Sequence, residues 1–269
     1  MENGEQKIFV WCDFTPPMDT AIMHGVQVAS ILRKELCLMH MTHRKAENRE
    51  IAEARLRGIA GKIAPLLTGL QVHYVVLEGP LHKNLTPMAE VYDALVLVAH
   101  KNAAAELLPS LTDSGFPFLF VSSQQSTEQL YRRIIIPVGY MKKSKDLALW
   151  GSYFGRHNNA SIDLFMAREG LKADNDRIGK NIVSIARLYR NFNFPFQPVE
   201  SHTPTWKLQK AALAHAQGYP AGLLIIAASF KTTFIDNWMG LTERKVIQKS
   251  GDLSVMCINS QRDLYTLCG

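Results

Sequence analysis

Leu223-Leu224-Ile225-Ile226-Ala227-Ala228 opens into a polar segment, Ser229-Phe230-Lys231-Thr232-Thr233; after Gly240 come Leu241–Lys249 and a second apolar run, Leu253–Ile258. The two apolar runs are short and nearly continuous, as strands buried on both faces of a parallel sheet must be. The segment between them ends in a helix-like pattern. Strand, loop, helix and strand in that order is the arrangement in which α/β proteins seat anionic ligands, at helix N-termini beyond the carboxyl ends of the strands.

Working outward, the same alternation fills the chain. Lys7–Cys12 predicts a strand, Asp13-Phe14-Thr15-Pro16-Pro17 a turn with helix-start chemistry, and Met18–Lys34 an amphipathic helix. Strands follow at Glu35–Met41, Gln71–Leu77, Ala94–Ala99 and Phe116–Val121, separated by helices at Ala46–Leu67, Pro80–Tyr92 and Ala103–Leu111. Gln71–Leu77 alternates, which predicts a strand nearer an edge. Pro117 lacks an N–H, so the fifth strand either lies at an edge or starts late. Ser122–Gln129 has no apolar periodicity and reads as a linker. Beyond it the order repeats, with strands at Arg133–Val138, Ser161–Ala167 and Phe196–Glu200 before the opening stretch supplies the last two.

The two halves align at a fixed offset. A shift of 126 places Ile8 on Ile134, Asp13 on Gly139, Gly25 on Gly151 and Leu36 on Ile162. The matched glycines fall in mid-helix, where Gly costs about 1 kcal/mol relative to Ala, and close helix–sheet packing accounts for that cost in both halves. The offset widens to 128 at the fourth strand and 137 at the fifth, so the second half carries extra residues between its last two strands. An internal duplication follows. The expected fold is α/β: two tandem open parallel five-stranded sheets flanked by helices, over residues 1–124 and 130–265.

Composition sets the outer bounds. The chain has 269 residues, 47% hydrophobic and 20% charged, enough for two domains with sizeable cores. Its net charge of +6 is mild, with short clusters at Arg132-Arg133 and Lys142-Lys143-Ser144-Lys145; this falls short of a nucleic-acid footprint. Cys12, Cys37, Cys257 and Cys268 have no metal or redox spacing. Met1–Gln6 is polar and acidic, unlike a signal peptide, and no apolar run reaches the ~18 residues of a membrane helix. A cytoplasmic protein without a membrane partner is the expectation.

KIFVWCDFTPP followed by an amphipathic helix, a strand ending in His40-Met41, and the tail GLTERKVIQKSGDLSVMCI together resemble a universal stress protein domain, present as a tandem pair across nearly the whole chain. The resemblance implies five-stranded parallel sheets and, in many members, ATP held by Gly-x-x-Gly, nine residues, then Gly-Ser/Thr. In this sequence those positions are Ala227, Phe230, Gly240 and Leu241, so one of four is kept. Phe230 stands where backbone should meet phosphate. In the first half Ala99 and Asn102 occupy the glycine positions and the loop is largely deleted. The acid that the resemblance places after the first strand is matched by Asp13 in the first half and replaced by Gly139 in the second.

The candidate ligand-binding residues are Asp13, Thr15, Met41, His100 and Lys101 in the first half, and Ser229, Lys231, Thr232, Gly240 and Thr242 in the second. Each has a structural alternative. Asp13 can bond turn N–H groups, and the second-half loop can be simply solvated. His40 and His43 have a metal-like spacing but point to opposite faces of a regular strand. No nucleophile elbow, paired carboxylates or Walker loop is present. The expected function is a non-enzymatic stress-response protein acting through a protein partner or small ligand, with no resident cofactor and no metal. The alternative is an adenine-nucleotide binder that hydrolyses ATP slowly through the modified second-half loop. An adenylating enzyme would need a glycine-rich turn after the first strand, and Phe14-Thr15-Pro16-Pro17 is not one. The fifth strands are apolar edges that need cover, and their pairing within one chain as a pseudo-dimer is expected. A further homodimer is left open.

Overall fold

The computed structural model describes residues 6–42, 46–66, 69–122, 130–228 and 242–259. Ser229, Phe230, Lys231, Thr232 and Gly240 lie outside the described residues, as do the side chain of Thr242 and most of the linker segment. The chain divides into two compact units, Met1–Gln124 and Gln125–Gly269.

Unit 1 comprises β1 (Lys7–Trp11), α1 (Met18–Leu32), β2 (Glu35–Thr42), α2 (Ala46–Ile63), β3 (Val72–Glu78), α3 (Leu81–Glu90), β4 (Ala94–His100), α4 (Ala104–Leu111) and β5 (Phe118–Val121). Its strands lie in the order β3-β2-β1-β4-β5, all pairs parallel. The polarity of each strand follows its place. β1 and β4, at the centre, are almost wholly buried, whereas β3, at the edge, is half-exposed along most of its length. Pro117 precedes β5 and contributes only its carbonyl, which accepts from Leu97 N at 3.0 Å, so the strand does start late.

Unit 2 comprises β6 (Arg133–Val138), α5 (Ser144–Asn158), β7 (Ser161–Met166), α6 (Lys172–Asn191), β8 (Phe196–Glu200), α7 (Leu208–Ala216), β9 (Leu223–Ala227), α8 (Thr242–Gln248) and β10 (Ser254–Ile258). The order β8-β7-β6-β9-β10 repeats that of unit 1 strand for strand. The repeat extends to detail. Both α1 and α5 run 15 residues and stop at a residue in the left-handed region, Arg33 at φ 54° and Asn159 at φ 49°. A left-handed residue closes a helix by turning its backbone away from the next turn, and asparagine tolerates this better than arginine.

The mid-helix glycines are explained by contact. A Cβ on Gly25 would collide with the Val10 side chain on β1. One on Gly151 would stand 2.6 Å from Ile136 Cδ1 on β6 and 2.9 Å from the Tyr189 hydroxyl. Each helix therefore lies closer to its central strand than any side chain permits.

One difference between the units shapes the second. Strand β6 is central yet contains Pro137. Hydrogen bonds from Ser161 N to Arg132 O and from Ala167 N to Val138 O show that even-numbered residues of β6 face β7. Odd-numbered ones, Pro137 among them, face β9. The pairing of β6 with β9 covers only Ile134↔Leu223 and Ile135↔Leu224, and stops where Pro137 has no N–H to offer. Pairing with β7 continues to Val138↔Met166. The two central strands of unit 2 thus separate at their carboxyl ends.

Candidate functional site

In a sheet of this order the strand sequence reverses between the first and fourth strands of each unit, and that is where a crevice opens. In unit 1 the corresponding ends are those of β1 and β4. Asp13 Oδ1 accepts from Thr15 N at 2.9 Å and from the Thr15 hydroxyl at 2.7 Å, a local turn that consumes one carboxylate oxygen. Across the crevice, His100 caps the short 3-10 turn Lys101–Ala103 by accepting from Asn102 N at 3.3 Å through Nδ1. Neutral His100 therefore carries its proton on Nε2. Burial and the neighbouring Lys101 charge push the His100 pKa down, and Asp13 opposes them, so Asp13 and His100 lie within electrostatic reach of each other. Met41 lies elsewhere, in a cavity lined also by Phe14, His40, Thr42 and Arg55. The Phe14 ring there is 4.5 Å from the His40 ring, with the Arg55 guanidinium 4.0 Å from its centroid. Phe14 takes φ 60°, a costly conformation for an aromatic residue, and this stacking holds it there. Of the five unit 1 candidates, Asp13, Thr15 and His100 come together, Lys101 sits in the turn that His100 caps, and Met41 faces the second cavity.

His40 Nδ1 lies 2.6 Å from the Cys12 carbonyl oxygen, and His43 is outside the described residues. Among the described residues no group of three or more His, Cys, Asp or Glu could hold a metal ion. Burial pushes the thiols of Cys12, Cys37 and Cys257 up, Cys37 to about 12, so they are inert core residues.

The His100 environment gives a pH prediction. Its folded pKa lies below the ordinary value of 6.5, so its contribution to stability is full above that value. As pH falls through the folded pKa the contribution is lost, because the unfolded chain takes up the proton first. Thermal melts between pH 7.5 and 5 are expected to fall less steeply for His100→Gln than for the wild type. Parallel slopes would contradict this.

In unit 2, Pro137 has parted β6 from β9, and a cavity of about 170 Å³ lies between their ends. Side chains replace the missing ladder. Had the pairing continued in register, Gly139 N would have met the Ala227 carbonyl. Instead Gly139 N donates to Ser144 Oγ at 3.2 Å, and Gln209 Nε2 donates to Ala227 O at 2.8 Å. Buried Asn181 on α6 holds the loop after β6 from outside, donating to the carbonyls of Gly139 at 2.9 Å and Met141 at 3.1 Å. Thr205, in the 3-10 turn before α7, is fixed by its N–H donating to Glu169 Oε1 at 2.7 Å. Its side chain fills the space beside Gly139: a Cβ on Gly139 would collide with Thr205 Cγ2 and stand 2.8 Å from Thr205 Oγ1. The position that matches Asp13 is therefore closed to any side chain. Thr205 Oγ1 and Gln209 Oε1 are both buried with no hydrogen-bond partner. Burial pushes the Lys143 pKa down, opposed by the Glu243 carboxylate.

Replacing Asn181 by Ala leaves two loop carbonyls without their donor, at about 1–3 kcal/mol. Its urea midpoint is expected to drop accordingly, whereas an unchanged midpoint would show that the clamp contributes nothing.

Sequence reading did not find Asn181, Thr205, Trp206 or Gln209, because they come from helices and turns far along the chain from Gly139. The one available signal was Pro137 inside an otherwise central strand pattern. A second cluster, also missed, lies on β6, β7, β8 and α7. Asp163 is 0% exposed. It accepts from Arg133 Nη2 at 2.8 Å, Arg133 Nε at 3.1 Å, Gln197 Nε2 at 2.8 Å and His215 Nε2 at 2.9 Å. Because the carboxylate can only accept, His215 carries its proton on Nε2.

No family model matches the sequence, and no curated protein matches it. Solved structures do. A universal stress protein from Archaeoglobus fulgidus DSM 4304 superposes with a TM-score of 0.70 at 14% identity, over 94% of this chain and 95% of that one. A functionally unknown protein from Pseudomonas aeruginosa PAO1 superposes with a TM-score of 0.65 at 12% identity, over 95% and 92% of the two chains. The fold is that of the universal stress proteins, an α/β architecture of parallel strands flanked by helices. Among the described residues no helix is long and apolar enough to cross a membrane.

Proposed function

We propose that this chain is a universal stress protein-like stress-response protein that acts without catalysis, by holding a small ligand or a protein partner, and that its ATP-binding motif is largely lost. The observation that carries this reading is the closure of the Gly139 position by Thr205. A nucleotide site on this fold would want an acid there, and a side chain cannot be restored without displacing a neighbour. Unit 1 points the same way. Its Asp13 carboxylate is engaged by Thr15, and its fourth strand ends in a His100-capped turn rather than a glycine loop. Phe230 and Leu241 in the second-half sequence add to the case. Mass spectrometry of the freshly purified, then denatured, protein tests it. No adenine nucleotide is expected to be released in proportion to protein. Stoichiometric ATP or ADP would overturn the proposal and favour the slow-hydrolysis alternative.

A further inference from the structure

We propose that the unit 2 crevice binds a small, neutral, planar heterocycle carrying an N–H donor, with the ring at Trp206 and the donor directed to Gln209 and Thr205. The inference rests on the small-ligand form of the function proposed above and names the ligand class.

Four observations converge on one cavity. The first is hydrogen-bond demand. Gln209 has its amide orientation fixed, since only Nε2 can serve the Ala227 carbonyl, at 2.8 Å. Its Oε1 is therefore an acceptor that lies buried without a donor. Thr205, a second residue lining the same cavity, has its Oγ1 buried without a partner. Buried polar atoms left over in a native fold call for an explanation, and two of them lining one space call for the same one. The second is size. A volume of about 170 Å³ holds a few waters at ~30 Å³ each, or one small ring system. The space among the described residues is below the ~300 Å³ at which pockets for larger organic ligands begin.

Charge is the third. Among the described residues the one cation lining the cavity is Lys143, which burial disfavours as an ion and the buried Glu243 favours. A desolvated ammonium with an acid in electrostatic reach favours a neutral guest over a phosphate, which would itself have to be stripped of water. The fourth is the lip. Trp206 lines the cavity and is 76% exposed, with Lys207 Nζ 4.3 Å from its ring centroid. A large indole kept at the mouth of a polar-floored cavity offers a face on which a planar ring stacks, whatever its sequence of heteroatoms.

The test uses the full chain, with uracil, nicotinamide and adenine as probes and magnesium-ATP as the charged comparator. Binding is read by tryptophan fluorescence and by saturation-transfer NMR. At least one ring is expected to bind with Kd on the order of 100 μM, the strength a ligand of so few atoms can reach. Magnesium-ATP is expected to give no signal at the same concentration. Thr205→Val, which keeps the shape and removes the hydroxyl, and Gln209→Met are each expected to weaken binding about tenfold or more. Trp206→Phe is expected to abolish the fluorescence change while the NMR signal persists. Thermal melts identify any variant that fails to fold, and the shape-preserving Thr205→Val remains decisive if Gln209→Met does. The proposal is overturned if no ring binds below about 10 mM, which would leave a cavity that holds water only. It is equally overturned if Thr205→Val binds like the wild type. Tight ATP binding would overturn the proposed function itself, whereas silence from every probe would remove only this inference and leave partner binding standing.

Discussion

Asp163→Ala is expected to lower the stability of unit 2 by about 3 kcal/mol, the lower end of the range for breaking a buried ion pair. The carboxylate is fully buried and accepts from three side chains, so its removal strands donors on Arg133, Gln197 and His215 together. The cost stays at the lower end because Arg133 and His215 each keep about a quarter of their side-chain surface, 25% and 26%, in contact with solvent. Water can take up part of what the carboxylate gives up. Asp163→Asn is expected to be nearly as damaging, because its NH2 would face a donor in either orientation, Gln197 at the Oδ1 position or Arg133 and His215 at the Oδ2 position. Urea unfolding followed by far-UV circular dichroism measures both. A loss below about 1 kcal/mol for Asp163→Ala would show that the cluster is electrostatically incidental.

Gly25→Ala is expected to destabilise by about 1–3 kcal/mol even though alanine is the better helix former. The propensity gain is at most about 1 kcal/mol. Against it stands a methyl group driven into Val10 of the central strand, where neither the helix nor β1 can retreat without disturbing the core. Gly58→Ala and Gly61→Ala on α2 provide the opposite sign. Nothing lies within 4 Å of a Cβ at either position, so the propensity term acts alone and should stabilise by up to about 1 kcal/mol each. Thermal melts of the three variants would contradict the packing account if all moved in the same direction.

These glycines also show how much could be read without coordinates. The offset of 126 residues that pairs Gly25 with Gly151 predicts two helices pressed against two central strands, and the contacts at Val10 and Ile136 are of that kind. The parallel order and the exposed β3 were equally legible, and Pro117 left β5 either at an edge or starting late, because apolar periodicity and proline chemistry are local. The site was less so. Asp13 and Gly139 could be located, but Thr205, which closes the Gly139 position, lies 66 residues further on, and no local pattern joins them. Pro137 carried the relevant signal, since a central strand that loses a donor must part from one neighbour, yet which neighbour depends on strand register. Asp163 sits in Ser-Ile-Asp-Leu-Phe-Met, where a lone acid in a buried strand implies a cationic partner. Sequence alone does not say that Arg133 and His215 supply it.

The central proposal is that this fold is kept while its ATP-binding motif is largely lost. Titration calorimetry of the full chain with ATP and magnesium tests it most directly. The account predicts no saturable heat in the micromolar range, with Kd well above micromolar. Tight, magnesium-dependent binding that disappears in Lys231→Ala would contradict it.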